Sequence, residues 1–417
     1  MNLDQAGTHR KGGARVLVVC QHFWPESFGV NNVCDYLRDS GCELEVLCGI
    51  PNYPKGDFFP GYSYLRNRRQ VHDGIRIRRT LEIPRRKNST FRIIANYMSF
   101  PIFSLFHIPR LLTQRFDKIF LYQLSPVMMA FSGLVIGRVK RIETTLYVLD
   151  LWPENLFSVF KIKSALLRRV ATRVSHWHYR KADKLVALSE KMKDRLIEIT
   201  NITPDKVLVM PQVCDKLYEV DVVDDTLRQR FSGGFNMVFA GNISPAQDFE
   251  TVIDAARRLR ADGFVDIHWI IVGDGMSRRW LEAEVENAGL TECFFFEGYV
   301  PPAEIPRYHT LADGLLACLV QSDLLDATIP AKVMSYFAAG RPIVLAMDGE
   351  AQRLVNSVGC GFAGDSGDSG ALYRHIKQLY LTSAEDRAVM GQKAREYHFS
   401  HFERNMNMER LRRFIFD

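Results

Sequence analysis

The sequence predicts an α/β protein built from two Rossmann-like domains in tandem, and three observations lead there. Short continuous apolar runs such as Arg15–Cys20 (RVLVVC) and Phe235–Ala240 (FNMVFA) lack polar alternation, as strands of a parallel sheet covered on both faces do. Such runs alternate with helical stretches in both halves of the chain. In the second half, glycine follows one strand-like run after another, where backbone amides can approach a ligand that a side chain would block.

In the first half, Arg15–Cys20 leads through a loop with Pro25 and Gly29 into a helix that closes at Gly41. Strands are expected at Leu44–Cys48, Ile75–Arg79, Lys118–Tyr122, Thr145–Leu149 and Lys184–Leu188, with a ligand crevice at their carboxyl ends. The stretch from Tyr218 to Gly234 turns acidic and then gains glycine, and is expected to connect the domains. Beyond it, strands at Phe235–Ala240, Ile267–Val272, Cys293–Glu297, Gly314–Val320 and Ile343–Leu345 alternate with helices at Gln247–Leu259 and Arg278–Ala288 and a short one near Glu304. Domain bounds of 14–215 and 235–398 follow, with 399–417 as a helix able to fold back on the first domain.

Of 417 residues, 47% are hydrophobic and 24% charged, the balance of a globular protein of two or three domains. Met1–Gly13 reads as a polar leader without the apolar run of a secretory signal. The net charge of +6 is unevenly placed: residues 1–184 carry 29 basic against 14 acidic side chains, and 185–417 carry 25 against 34. A basic half of this size suits a polyanionic partner. Residues 61–115 hold 12 Lys and Arg but two acids, around the apolar segment Ile93–Pro109. Interrupted by Asn96, Pro101 and His107, that segment is too short to span a bilayer. Flanked by Arg85, Arg86, Lys87, Arg92 and Arg110, it is read as an amphipathic stretch lying in a membrane interface, with a core helix as the alternative. Lys161–Lys184, with Trp177, His178 and Tyr179, forms a second basic stretch. Neither shows stacking aromatics on a recognised nucleic-acid module, so no nucleic-acid partner is expected. The eight cysteines show no metal spacing and read as reduced, buried small hydrophobes.

Candidate chemistry gathers at four loops of the second half: Gly241–Gln247 (GNISPAQ), Gly273–Gly275 (GDG), Gly298–Pro301 (GYVP) and the stretch ending IPAK at Ile329–Lys332. Pro330 suits the first turn of a helix that Gly340 can end. The free amides of that helix start suit a diphosphate, and Lys332 would add a full charge. In the first half, His22 sits in the first loop, where it either contacts a phosphate or acceptor or is satisfied locally. Glu154 either helps bind an acceptor or caps the following helix.

These motifs, together with FWPESFGVNN (23–32), DLWPENL (150–156), FAGNISPAQDFETVIDAA (239–256) and FEGYVP (296–301), resemble the retaining glycosyltransferases of family four, which have the GT-B fold. The likeness covers nearly the whole chain, and within the family it is strongest to bacterial enzymes of O-antigen and other surface polysaccharides. It implies two Rossmann-like domains facing each other across a cleft. It places Gly29 near the donor diphosphate and Tyr299 and Val300 beside the nucleobase. Ile329, Pro330, Ala331 and Lys332 would hold the phosphates, with Gly241, Asn242, Gln247, Gly273, Asp274 and Gly275 completing the donor side. Asp150 falls near the transferred sugar and is expected, with Lys332, to be catalytic. His22, Asn31, Trp152 and Glu154 are the candidates for the acceptor side.

The chain also departs from the family. The usual glutamate pair falls at Ala327 and Ser335, and the first-loop Arg and Lys are replaced by Asn242 and Gln247. Asp326 could stand in for the first glutamate. The activity implied is retaining hexosyl transfer from a nucleotide-diphosphate sugar, UDP-sugar favoured, to a polyprenyl-diphosphate-linked sugar in O-antigen or lipopolysaccharide synthesis. The resemblance implies no metal and no further cofactor, and a cytoplasmic enzyme peripheral on the anionic inner face of the cell membrane. A nucleotide-sugar 2-epimerase of the same fold, or a catalytically silent scaffold at the membrane, are the rival readings.

Overall fold

The computed structural model describes residues 13–53, 56–86, 90–154, 156–157, 164–322 and 328–417. Lys87, Lys161, Asp326 and Ala327 and the leader before Gly13 lie outside them. Two compact units form, one of residues up to Met210 plus Met408–Asp417, the other Pro211–Asn407.

The first unit is an eight-stranded sheet of β1 (Arg15–Cys20), β2 (Glu43–Cys48), β3 (Arg69–His72), β4 (Ile75–Arg79), β5 (Lys118–Gln123), β6 (Thr144–Val148), β7 (Lys184–Ala187) and β8 (Val207–Val209). Its order is β3-β4-β2-β1-β5-β6-β7-β8. All pairings are parallel except β3 with β4, so the all-parallel expectation needs an edge correction. Arg69–His72 hairpins back on β4 through the Asp73–Gly74 turn, and its polar alternation RQVH gave no apolar run to find. The central strands are buried on both faces: Val16–Val19, Ile119–Leu121 and Leu146–Val148 are all inaccessible or nearly so.

Four helices of this unit matter below: α1 (Gly29–Asp39), α2 (Thr90–Ser104), α3 (Phe131–Lys140) and α4 (Ala165–Lys181). Both α2 and α4 pack against α3 and the turn Val127–Ala130, so all three share one face of the sheet. The apolar segment 93–109 is helical, but it turns inside out relative to an ordinary surface helix. Asn96, Ser99 and Ser104 point inward with Phe100, while Phe91, Ile94, Met98, Ile102 and Leu105 are exposed.

The second unit is a six-stranded, all-parallel sheet of β9 (Phe235–Ala240), β10 (Ile267–Val272), β11 (Phe294–Gly298), β12 (Gly314–Cys318), β13 (Ile343–Ala346) and β14 (Gly361–Gly364), ordered β11-β10-β9-β12-β13-β14. Strand order reverses between β9 and β12, which opens a crevice at their carboxyl ends. Helix α5 (Phe249–Ala261) follows the first glycine loop, with Asp248 as its side-chain cap. Helix α6 (Ala331–Ala339) starts after Pro330 and stops at Gly340, whose φ of +64° suits glycine. Every residue of α6 from Val333 to Ala339 is buried, which locks its first turn in place. The segment 218–234, expected as a connection, is instead part of this unit: it forms the helix Asp225–Arg230, and Leu227 and Phe231 enter the core beside Val238 and Leu315. The last helix, α7 (Arg404–Phe416), ends in the first unit, where Glu409 accepts a hydrogen bond from Tyr36 at 3.1 Å.

Candidate active site

A cavity of about 510 Å³ lies at the switch point of the second unit. Its floor is made by the ends of β9 and β10, with Gly241, Asn242, Gly273 and Asp274; one wall is α6, with Ala331, Lys332, Met334 and Ser335; Tyr299 and Val300 border the far side. The glycine loops are stitched together by backbone bonds from Gly241 to Val272 (2.9 Å), Gly273 to Gly298 (2.8 Å) and Ile243 to Asp274 (2.9 Å). Two of the glycines have no substitute. At Gly273, φ is +140° and a Cβ would lie 1.9 Å from the Gly241 carbonyl oxygen; at Gly241, φ is +156° and a Cβ would come within 3.0 Å of the Lys332 Nζ.

Lys332 is the electrostatic centre of the cavity. Its ammonium donates to Gln247 Oε1 at 2.7 Å and sits 3.9 Å over the Phe239 ring. No carboxylate among the described residues is within ion-pair range of it. Burial therefore pulls its pKa down from the ordinary lysine value to about 8. A cation held by a neutral amide and a ring face is half-compensated, and an anion entering the cavity would complete it. Gln247 does not line the cavity; it acts on Lys332. Gly275 lies under the loops, where a Cβ would strike the Ile243 carbonyl, and Ile329 packs on the core ahead of Pro330. The Ser335 hydroxyl donates to the Lys332 carbonyl at 2.7 Å, so the position of the family glutamate is occupied by a helix-satisfied hydroxyl.

Several residues of this cavity escaped the sequence reading. Cys214, Asp215 and Tyr218 come from the segment before the second sheet, and Ile305 and His309 from the helix Ile305–Leu311. Tyr336 braces the floor from below: its hydroxyl accepts from the Ala240 amide (3.1 Å) and donates to the Leu316 carbonyl (2.9 Å). His309 is buried with neither ring nitrogen partnered among the described residues, and burial drives its pKa to about 3, so it is neutral. Its ring lies 5.6 Å from that of Tyr218 and 5.4 Å from that of Tyr336. Nothing in the spacing of IPRYHTL distinguishes it from an ordinary core histidine.

In the first unit the expected residues gather at the carboxyl rim of the sheet, and most are already engaged. His22 Nδ1 is 3.1 Å from both carboxylate oxygens of Glu26, and Glu26 Oε1 also accepts from the amides of Asn52 (2.8 Å) and Tyr53 (2.7 Å). The His22 ring stacks on Phe28 at 4.9 Å, so the locally satisfied histidine is the arrangement found. Asn31 closes the same loop, donating to the Glu26 carbonyl and accepting from the Trp24 amide. Gly29 begins α1 above Tyr122, whose hydroxyl would be 2.7 Å from a Cβ there. Trp152 is buried and spends both donors internally, on Tyr179 Oη (2.9 Å) and Ser125 Oγ (3.0 Å). Asp150 sits at the end of β6, its carbonyl accepting from Gln123 at 2.6 Å. Glu154 pairs through Oε1 with Arg195 at 3.2 Å, while its Oε2 is buried with no partner among the described residues.

A Rossmann-type crevice with glycine loops, a half-compensated lysine at a helix start and a second α/β unit defines a nucleotide-type ligand site in a two-domain α/β protein. Comparison with known proteins makes the class specific. Residues 228–397 match the model of glycosyl transferases group 1, and residues 27–212 match the glycosyl transferase 4-like domain. The chain belongs to the GT-B-fold glycosyltransferases of the family-four kind. Among its relatives is WcaI of Escherichia coli K12, a protein assigned as a glycosyl transferase of colanic acid biosynthesis, 24% identical over 345 residues, or 79% of this chain and 83% of that one. Among solved structures, Anabaena HepE in complex with UDP superposes with a TM-score of 0.69 at 15% identity, covering 96% of this chain and 98% of the other. WaaG, a glycosyltransferase involved in lipopolysaccharide biosynthesis, gives 0.66 at 13%, covering 96% and 99%. At these identities the structural matches establish the fold.

Proposed function

We propose that this glycosyltransferase moves a sugar, with retention at the anomeric carbon, from a nucleotide-diphosphate sugar, a UDP-sugar in first place, to a polyprenyl-diphosphate-linked sugar at the inner face of the bacterial cell membrane. The observation that carries the donor half is the Lys332 ammonium, which faces the cavity at the start of α6 with only Gln247 as its hydrogen-bond partner among the described residues. It and the first amides of α6 take the diphosphate, and their fixed positive potential stabilises the charge that grows as the sugar leaves. Tyr299 and Val300 flank the base, and Gly241 and Gly273 let the backbone approach. The UDP complex of Anabaena HepE supports a nucleotide in this kind of crevice. Asp150 and the rim around His22 and Glu154 orient the sugar and its acceptor.

The membrane half is supported by two exposed apolar stripes on one face of the first unit. On α2 and the turn that follows it they are Phe91, Ile94, Met98, Ile102 and Leu105, and on α4 Leu166, Val170, Val174 and Trp177, each at helical spacing. Arg92, Arg168, Arg169 and Arg173 border them. No helix among the described residues is long and apolar enough to cross a membrane, and we read the stripes as lying in the interface.

The test is to incubate the protein with bacterial membranes and a panel of radiolabelled nucleotide sugars. Label entering the lipid fraction with at least one UDP-sugar, only when enzyme is present, is expected. Absence of lipid-borne label with every donor, together with no thermal stabilisation by UDP, GDP or TDP, would leave the silent scaffold as the better reading.

A further inference from the structure

A second cavity, larger than the donor site at about 670 Å³, lies wholly within the first unit. Its wall is formed by the C-terminal turns of α3 and α4 and by the residues that lead into β6, β7 and β8. Ile142, Glu143 and Thr144 open β6, Ala182 and Asp183 precede β7, and Lys206 precedes β8. These are the amino-terminal ends of the strands. Asp150, Trp152 and His22 follow strands, at the opposite end of the sheet, a full strand of about 16 Å away. The cavity therefore does not belong to the acceptor rim.

Five cationic side chains, Arg138, Arg141, Arg180, Lys181 and Lys206, line it. Two carboxylates do as well, and both are already committed. Glu143 is held by Lys118 and by Lys184, at 3.1 Å from the latter, and Asp183 Oδ2 accepts from the amide and the hydroxyl of Thr144, each at 2.8 Å. Arg180 donates to the Ile199 carbonyl (2.8 Å), and Lys206 neighbours Asp205. Arg138, Arg141 and Lys181 have no ion-pair partner among the described residues. Basic groups at helix ends ordinarily offset the dipole, but two helix C-termini bring only about half a negative charge each. The cluster exceeds that, so the cavity is net positive.

The other half of the lining is apolar: Leu134, Val135, Val139, Ile142, Ala182 and the indole of Trp177. Val139 and Trp177 are also exposed, and Trp177 is the last member of the α4 stripe. That stripe runs along a helix about 25 Å long and delivers its apolar surface to the mouth of the cavity. A site for a free anion would have no use for this wall. An amphiphile, with an anionic head among the guanidinium groups and its apolar part leading onto the stripe, uses both halves.

We propose that this cavity binds the phosphodiester headgroup of an acidic phospholipid, fixing the orientation in which the first unit lies on the membrane. The inference rests on the membrane part of the proposed function, and soluble and vesicle probes separate the two. With the full chain, monomeric dihexanoylphosphatidylglycerol below its micelle concentration is expected to bind saturably by calorimetry, and the double variant Arg141→Ser/Lys181→Ser to bind at least tenfold more weakly. The charge-matched control Arg168→Ser/Arg169→Ser, near the N-terminus of α4 and outside the cavity lining, is expected to bind that monomer like wild type. Circular dichroism melts of both variants check that they fold.

Absence of saturable binding to wild type overturns the proposal, as does equal weakening in the control. Full competition by inorganic phosphate, which has no chains, overturns it too, since the cavity would then be a simple anion site. In parallel, Ile94→Ser/Ile102→Ser on the other stripe is expected to release the protein from phosphatidylglycerol vesicles while keeping the soluble lipid bound. Wild type that binds the soluble lipid but no vesicle would refute the membrane reading and leave the cavity assignment standing.

Discussion

The crevice of the second unit and the loop after β1 of the first are built in opposite ways. In the second unit the polar groups that face the crevice are left half-used: Lys332 has one neutral partner, and neither nitrogen of His309 has any among the described residues. In the loop after β1 of the first unit the polar groups are consumed by one another. Glu26 alone collects His22 and the amides of Asn52 and Tyr53, and Asn31 closes the loop that carries them. An under-satisfied group is costly to bury and ready to bind, whereas a saturated loop is stable and holds its shape. On the proposed reading, the donor crevice is thus a preformed electrostatic socket, and the loop that carries His22 and Asn31 a rigid frame.

The comparison breaks most sharply at Lys332. Lys332→Ala removes the only full positive charge of the described cavity lining, and we expect sugar transfer to fall by about 10²- to 10³-fold with the fold intact by circular dichroism. Incorporation of label into lipid measures it; turnover within threefold of wild type would take Lys332 out of the chemistry. In the loop after β1 the expected loss is in folding. Glu26→Ala strands the buried amide of Asn52 and the part-buried amide of Tyr53, and chemical denaturation is expected to show a loss of about 2 kcal/mol. Glu26→Gln keeps an acceptor oxygen and should cost clearly less. Equal costs would mean that the charge, and not the amide contacts, holds the loop.

A smaller effect comes from pH. Lys332 in the folded protein loses its proton at about 8, whereas the unfolded chain keeps it to the ordinary lysine range near 10.5. Across that window the unfolded state holds more protons, so the free protein gains stability as pH rises from 8 to 10.5. Binding runs the other way, because a diphosphate needs the protonated form. The affinity for UDP is expected to fall by up to tenfold per pH unit above 8, and calorimetry across pH 7 to 10 would show it. In Lys332→Met the profile should be flat; a slope that survives there would belong to another group.

The contrast between crevice and loop was only half visible in the sequence. Strand runs such as RVLVVC and FNMVFA announce buried parallel strands because burial on both faces removes polar alternation. Glycine after β9 and β10, and Pro330 with Lys332 and Gly340 around α6, are local signals of loops and helix ends, and the structure brings Gly241, Gly273 and Lys332 into one cavity. What stayed hidden depends on distant packing. Tyr218 and Cys214 reach the cavity because Leu227 and Phe231 anchor their segment in the second core, which no local pattern of an acidic stretch reveals. The β3 edge strand has no apolar run. The inward turn of Asn96 is likewise nonlocal: it accepts from Gln21 and donates to Glu82, partners 75 and 14 residues away. With those polar contacts fixing one face of α2, its apolar residues are left outside.

The smallest expected effect isolates what half-use of a polar group costs. His309 is buried and neutral, and at least one ring N–H has no acceptor among the described residues. An unsatisfied buried donor costs more than an apolar group of the same shape. His309→Phe keeps a flat ring against Tyr218 and Tyr336 and removes the orphaned nitrogens, so the free protein is expected to gain about 1 kcal/mol, read as a small rise in Tm. If His309 is only wall, UDP affinity stays within twofold of wild type, which is the outcome we expect, because both nitrogens are shielded from the cavity's solvent. A tenfold loss of UDP affinity alongside the rise in Tm would instead make the imidazole a ligand of the nucleotide, and the donor rim would then hold two groups kept unsatisfied for binding, where Lys332 is now the single one assigned.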